Sequence, residues 1–245
     1  MGVDFGDYNA DGELDLFVTN SSAETNTLYR NNRDGSFTDV TTTAGLAEDC
    51  LAMLAFGTAF LDVDNDMDLD IFTVNGGLQP NVAELSSGAA AYAQETQLYL
   101  NDGGGRYALR PDAAPGAYVG RGAAFADYDD DGDVDVYIAS SGRPGRLLRN
   151  EAPGEGRWLR VVLDGQGLNT DGVGARVVVE AGGRLQARHV LGGASYASAN
   201  DPRLLFGLGA ATRADRVAVR WPDGRVQWAY GANANTTLQM TQRSE

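Results

Sequence analysis

Apolar and polar positions alternate with a period of two along much of the chain. Leu14, Leu16 and Val18 alternate with Asp15, Phe17 and Thr19, as do Leu69, Ile71 and Thr73 with Asp70, Phe72 and Val74. Alternation bounded by Gly, Asn and Asp predicts short strands joined by turns. The same pattern predicts strands at 157–163, 175–180, 185–191 and 216–221. Helical character is confined to 82–97, within an Ala-, Ser- and Gly-rich insertion between Asn75 and Gln97. The pattern predicts an all-β chain.

The pattern also repeats. Phe5-Gly6-Asp7-Tyr8-Asn9-Ala10-Asp11-Gly12-Glu13-Leu14-Asp15-Leu16-Phe17 aligns with segments starting at Phe60 and Phe125, 55 and then 65 residues on. A second element follows each: Leu28-Tyr29-Arg30-Asn31, Leu98-Tyr99-Leu100-Asn101 and Leu147-Leu148-Arg149-Asn150. A unit of about four strands in roughly 50–65 residues has the size of a propeller blade. Residues 1–152 therefore predict three blades, at about 1–50, 51–115 and 116–152. The run Ala152-Pro153-Gly154-Glu155-Gly156 then leads into a small β-sandwich-like domain at 157–241.

Charge sharpens this division. Residues 1–151 hold 26 Asp and Glu against 8 Arg, a net −18, while 152–245 hold 8 acids against 11 Arg, a net +3. Of the 26 acids, 15 fall in windows 7–15, 62–70 and 127–135. Such a charge repels phosphates and excludes nucleic acid as a partner. No apolar run approaches the roughly 20 residues that cross a bilayer, so no membrane insertion is expected. No signal peptide is expected from Met1-Gly2-Val3-Asp4, and the single Cys50, beside Leu51, Ala52 and Met53, reads as packing.

Each window places oxygen-bearing side chains at every second position. They are Asp7, Asn9, Asp11, Glu13 and Asp15; Asp62, Asp64, Asp66, Asp68 and Asp70; and Asp127, Asp129, Asp131, Asp133 and Asp135. A curled loop can turn alternate side chains inward around one hard cation, and Ca²⁺ takes six to eight oxygens at about 2.3–2.6 Å. Up to three Ca²⁺ sites are expected. The first, third, fifth and ninth residues would offer side-chain oxygens, and the seventh its backbone carbonyl. Gly12 and Gly132 stand where the loop bends sharply, whereas Met67 takes that place in the second loop. A required positive φ would strain Met67, which ranks the third loop strongest, the first next and the second last. A plain polar turn does not explain the same alternation three times. An EF-hand needs flanking helices and a Glu at its twelfth position, which here holds Val18, Thr73 and Ile138.

These segments resemble FG-GAP (VCBS-type) repeats, whose Asp-rich loop joins the first two strands of a blade in integrin-like propellers and holds Ca²⁺. A second resemblance, to the ASPIC/UnbV domain, rests on Trp158-Leu159-Arg160-Val161, Asn169-Thr170-Asp171-Gly172-Val173-Gly174-Ala175-Arg176-Val177, Phe206-Gly207-Leu208-Gly209 and Val219-Arg220-Trp221-Pro222-Asp223-Gly224. That domain follows FG-GAP propellers in the cartilage acidic protein family. The resemblance implies a partial FG-GAP-type β-propeller in a secreted or surface protein, extracellular, periplasmic or on the cell. Closed propellers have at least four blades. Either further blades would be needed to close this one, the chain then being expected to be the C-terminal portion of a longer protein, or oligomerisation would close it.

No catalytic residue is expected. His189 is the sole histidine, Ser195 sits in no nucleophile elbow, and Gly172-Val173-Gly174 lacks a βαβ context. The expected role is a non-catalytic adhesion or recognition module whose partner is an extracellular protein or glycan. The alternative is a Ca²⁺-dependent carbohydrate-active enzyme or lectin-like glycan binder, with Trp158, Trp221 and Trp228 as a sugar-stacking surface.

Overall fold

The computed structural model describes residues 1–85, 91–111, 113–151 and 156–244. The first sheet runs in order through β1 (Val3–Gly6), β2 (Asp15–Val18), β3 (Thr27–Asn31) and β4 (Phe37–Asp39), all antiparallel. After a helical turn α1 (Ala47–Cys50) come β5 (Ala55–Leu61) and β6 (Asp70–Asn75). A second turn, α2 (Val82–Leu85), and the short β7 (Gln94–Glu95) precede β8 (Gln97–Asn101) and β9 (Tyr107–Leu109), which complete the second sheet. Strand β10 (Ala117–Tyr118) pairs with β7, and β11 (Gly120–Ala126), β12 (Asp135–Ser140) and β13 (Arg146–Leu148) form the third sheet.

Register repeats with sequence. Phe5 faces Leu16, Phe60 faces Ile71, and Phe125 faces Val136, so each acidic window closes the same hairpin. Where helical character was expected, 82–85 form one turn and Gln94–Glu95 a strand, while 86–90 lie outside the described residues, as do 152–155 of the connecting run.

The sheets pack side by side through their apolar faces. Between the first two lie Tyr8, Phe17, Leu28, Phe60, Ile71 and Tyr107, with Phe17 and Phe60 edge to face at 6.2 Å. Between the second and third lie Leu61, Phe72, Val74, Phe125 and Ile138, with Phe72 and Phe125 at 5.8 Å. Burying each such side chain stabilises by about 1.5–3 kcal/mol. Gly57 lets β5 approach β11, for a Cβ there would meet the Ala123 nitrogen at 2.8 Å.

The remaining strands build a two-layer sandwich. One layer has the order β17 (Leu204–Gly209), β14 (Arg157–Asp164), β20 (Thr236–Thr241), with β14 and β20 parallel. The other has the order β16 (Arg184–His189), β15 (Arg176–Ala181), β18 (Arg213–Arg220), β19 (Val226–Asn233). Leu159, Val161, Val177, Val179, Phe206, Leu208, Val217 and Val219 fill the space between. Trp221 belongs to this core, Trp158 lies against Gly132, and Trp228 alone of the three is substantially exposed. The three tryptophans are thus apart, one buried, one at a loop and one on an outer strand.

The sandwich and its loops meet the hairpins along their strands as well as at their tips. Thr58 N donates to Ser195 Oγ at 2.8 Å, Asp201 N to the Phe125 carbonyl at 3.1 Å, and Gly209 N to the Asn65 carbonyl at 2.9 Å. Ser195 therefore serves as an interface hydrogen-bond partner.

Candidate metal centre

The three tips share one hydrogen-bonding scheme. The first aspartate of each loop reaches across the curl to the backbone N–H five residues on. Asp7 Oδ2 accepts from Gly12 at 2.9 Å, Asp62 Oδ2 from Met67 at 3.1 Å, and Asp127 Oδ2 from Gly132 at 2.9 Å. The fifth residue accepts from the seventh: Asp11 from Glu13 at 3.0 Å, Asp66 from Asp68 at 2.9 Å, and Asp131 from Asp133 at 3.1 Å. These bonds curl each loop back on itself.

The ninth residue opens the second strand and is held from behind. Asn31 N donates to Asp15 at 2.7 Å, Asn101 N to Asp70 at 2.9 Å, and Asn150 N to Asp135 at 2.8 Å. The Asn31 and Asn101 side chains donate in turn to carbonyls of their own loops, Leu14 and Leu69, while Asn150 donates to Val63 of the neighbouring second loop. The asparagine of the second repeated element thus braces the ninth loop residue. Its recurrence marked it in the sequence, but only pairing of the second and third strands reveals its function.

Position six carries positive φ in all three loops: 91° at Gly12, 82° at Met67 and 97° at Gly132. Met67 bears the expected strain, on the order of 1–3 kcal/mol. Its side chain explains its presence, because it is buried in the sandwich core with Leu159, Phe206 and Leu208. At Gly132 a Cβ would lie 1.9 Å from Trp158 Nε1, so the third loop requires glycine for space as well as for φ.

Oxygen atoms converge in two loops. One oxygen each from Asp62, Asp64 and Asp66 lie within 4.8 Å of one another, and so do oxygens from Asp127, Asp129 and Asp135. In the first loop Asn9 replaces an acid; its amide oxygen accepts from Asp11 N at 3.1 Å and its amide nitrogen donates to Asp11 at 3.2 Å, and Asp7, Asp11 and Asp15 are not among the described acidic groups that converge. The seventh residues turn elsewhere: Asp68 pairs with Arg184, Asp133 accepts from Asn65 at 2.8 Å, and Glu13 faces solvent. Asp131 and Asp129 pair with Arg149, and Asp70 accepts from Val63 N at 3.0 Å.

The electrostatics favour a cation. Asp15 Oδ2, Asp64 Oδ1 and Asp127 Oδ1 are buried without a hydrogen-bond partner. An orphaned carboxylate oxygen costs about 1–3 kcal/mol or more, which a coordinated ion would offset. Burial, aided by neighbouring aspartates, pushes Asp15 and Asp62 up to about 7 and Asp70 to about 8. The donor set is all oxygen, which suits a hard divalent ion.

These features define a class: an all-β protein of repeated acidic-tipped sheets joined to a β-sandwich. Residues 7–73 match the FG-GAP-like repeat family, and 165–245 match the ASPIC and UnbV family. The chain is similar to cartilage acidic protein 1 of Xenopus tropicalis, 28% identical over 92% of this chain and 34% of that protein. The human and mouse proteins of that name are 28% and 27% identical over the same share of this chain. The chain spans about a third of the length of these curated relatives. Among the described residues no helix is long and apolar enough to cross a membrane.

Proposed function

We propose that the chain is a Ca²⁺-binding, non-catalytic recognition or adhesion module of an extracellular or surface protein, holding up to three ions at its hairpin tips. The observation that carries this reading is the repeated presence of a buried carboxylate oxygen without a partner, one in each loop. Side chains of the first, third, fifth and ninth residues would hold the ion, with the seventh contributing its carbonyl. Bound Ca²⁺ supplies charge neutralisation and links the start of each loop to its end. The chain's own residues do the rest: the first aspartate curls the backbone, and the braced ninth aspartate fixes where the loop meets the sheet. The result is a rigid surface offered to a protein or glycan.

Calorimetric titration with Ca²⁺ and sensitised Tb³⁺ luminescence test the reading, together with melting in Ca²⁺ and in EDTA. The expectation is saturable binding and a melting temperature higher in Ca²⁺. At a concentration about a hundredfold above Kd, each site adds about 2.7 kcal/mol. Identical melting in Ca²⁺ and EDTA, with no Tb³⁺ signal, refutes the reading.

A further inference from the structure

The sandwich sends arginines toward every loop, and three of them come from three different strands. Arg176 of β15 donates to the Gly12 carbonyl at 3.0 Å. Arg188 of β16 lies 4.0 Å from Asp62 Oδ2, its guanidinium stacked on Phe206 at 5.2 Å. Arg160 of β14 makes direct contact with Asp127 Oδ2 and reaches Asp130 at 2.8 Å. Arg160 is only 6% exposed, so this ion pair lies away from bulk water, where charge compensation counts most.

The loops are therefore unequally neutralised. In the third, Arg149 joins Arg160 by pairing with Asp129 at 2.7 Å and Asp131 at 3.1 Å, and Arg203 pairs with Asp130 at 3.1 Å. In the second, Arg188 stands at the limit of ion pairing and Arg184 engages Asp68, while Asp64, Asp66 and Asp70 make no ion pair among the described residues. We infer that Arg160 is a tethered counter-cation of the third loop, so that the sandwich supplies there part of the charge a metal ion supplies elsewhere. The inference rests on the cation reading of the loops. Arg160 leaves Asp127 Oδ1 free, so the third loop keeps a ligand atom, but its fold depends least on the ion. The ranking by side chains alone then inverts, because the loop richest in acid is also the one best supplied with arginine.

The test compares full-length wild type, Arg160→Met and Arg160→Lys by calorimetric melting in EDTA and in saturating Ca²⁺. Arg160→Met should melt several degrees lower in EDTA, and its Ca²⁺-induced rise should be at least twice that of wild type. Arg160→Lys, which keeps the charge, should show a rise close to wild type. An equal loss with and without Ca²⁺ overturns the inference, since Arg160 would then act only by packing. If Arg160→Met does not fold in EDTA, recovery on adding Ca²⁺ supports the trade. Should it fold in neither, Arg203→Gln, at a half-exposed site, decides: a larger Ca²⁺ rise supports the trade and an unchanged one overturns it. A wild type that ignores Ca²⁺ sinks the cation reading itself, whereas a normal wild-type response with an unaltered variant sinks only this inference.

Discussion

The sandwich and the repeated sheets are both β-structure, yet they keep their stability in different places. The sandwich has one continuous core, from Leu159 and Val161 on one layer to Val177 and Val219 on the other. The sheets share out smaller clusters between neighbours and bury aspartates at their tips, with Asp15, Asp62, Asp70, Asp127 and Asp135 all shielded from solvent. Apolar burial stabilises whatever ions are present, whereas a buried carboxylate stabilises or destabilises according to its counter-charge. The difference teaches that solution conditions should act on one half of the molecule and mutation of volume on the other.

The largest expected effect comes from the sandwich. Leu208→Ala removes a side chain that is 1% exposed and should cost about 2–5 kcal/mol, equally in Ca²⁺ and in EDTA. Denaturant melts in both buffers check it, and a Ca²⁺-dependent cost would break the contrast. Asp62→Asn should change sign with conditions. In saturating Ca²⁺ it loses about one site's contribution, on the order of 2.7 kcal/mol. In EDTA at pH 8 it should stabilise. Desolvation raises the folded-state pKa of Asp62 to about 7, above its unfolded value, so the ionised group is least favourable above that pH. The stability deficit of wild type in EDTA should accordingly grow as pH rises from about 4 through 7 and diminish in the variant. Met67→Gly joins the two halves and should have the smallest effect. Relief of the positive φ offsets about 1 kcal/mol of the lost burial, leaving a net loss of about 1–3 kcal/mol. Tb³⁺ binding at the second loop should survive that change, and its loss would show that the methionine shapes the site as well as the interface.

Much of this organisation was legible in the chain. The hairpins, the acidic curls and the need for positive φ at position six all follow from local pattern, because each depends on residues within one short window. The long-range pairings did not. Strands β17 and β20 carry weak alternation, and the parallel neighbour of β14 lies some 75 residues away, so no window contains both. The arginines were equally silent: Arg160, Arg176 and Arg188 follow no spacing related to the loops they meet, since three strands of another domain deliver them. Met67 looked like a flaw while the loop was read alone. Its side chain belongs to the core of the neighbouring domain, which a repeat alignment cannot show.

The parallel pairing of β14 with β20 has a consequence for biosynthesis. Leu159 through Asp164 find their neighbours only when Thr236 through Thr241 have been made, so the sandwich cannot close until nearly all of it has left the ribosome. Contacts so distant along the chain also slow folding, by the entropy of closing a long loop. The first two acidic tips emerge well before the strand that carries Arg160, and the third shortly before it. For that interval the nascent sheets hold their carboxylates with only their own arginines, such as Arg33 and Arg149, and dissolved ions as counter-charge.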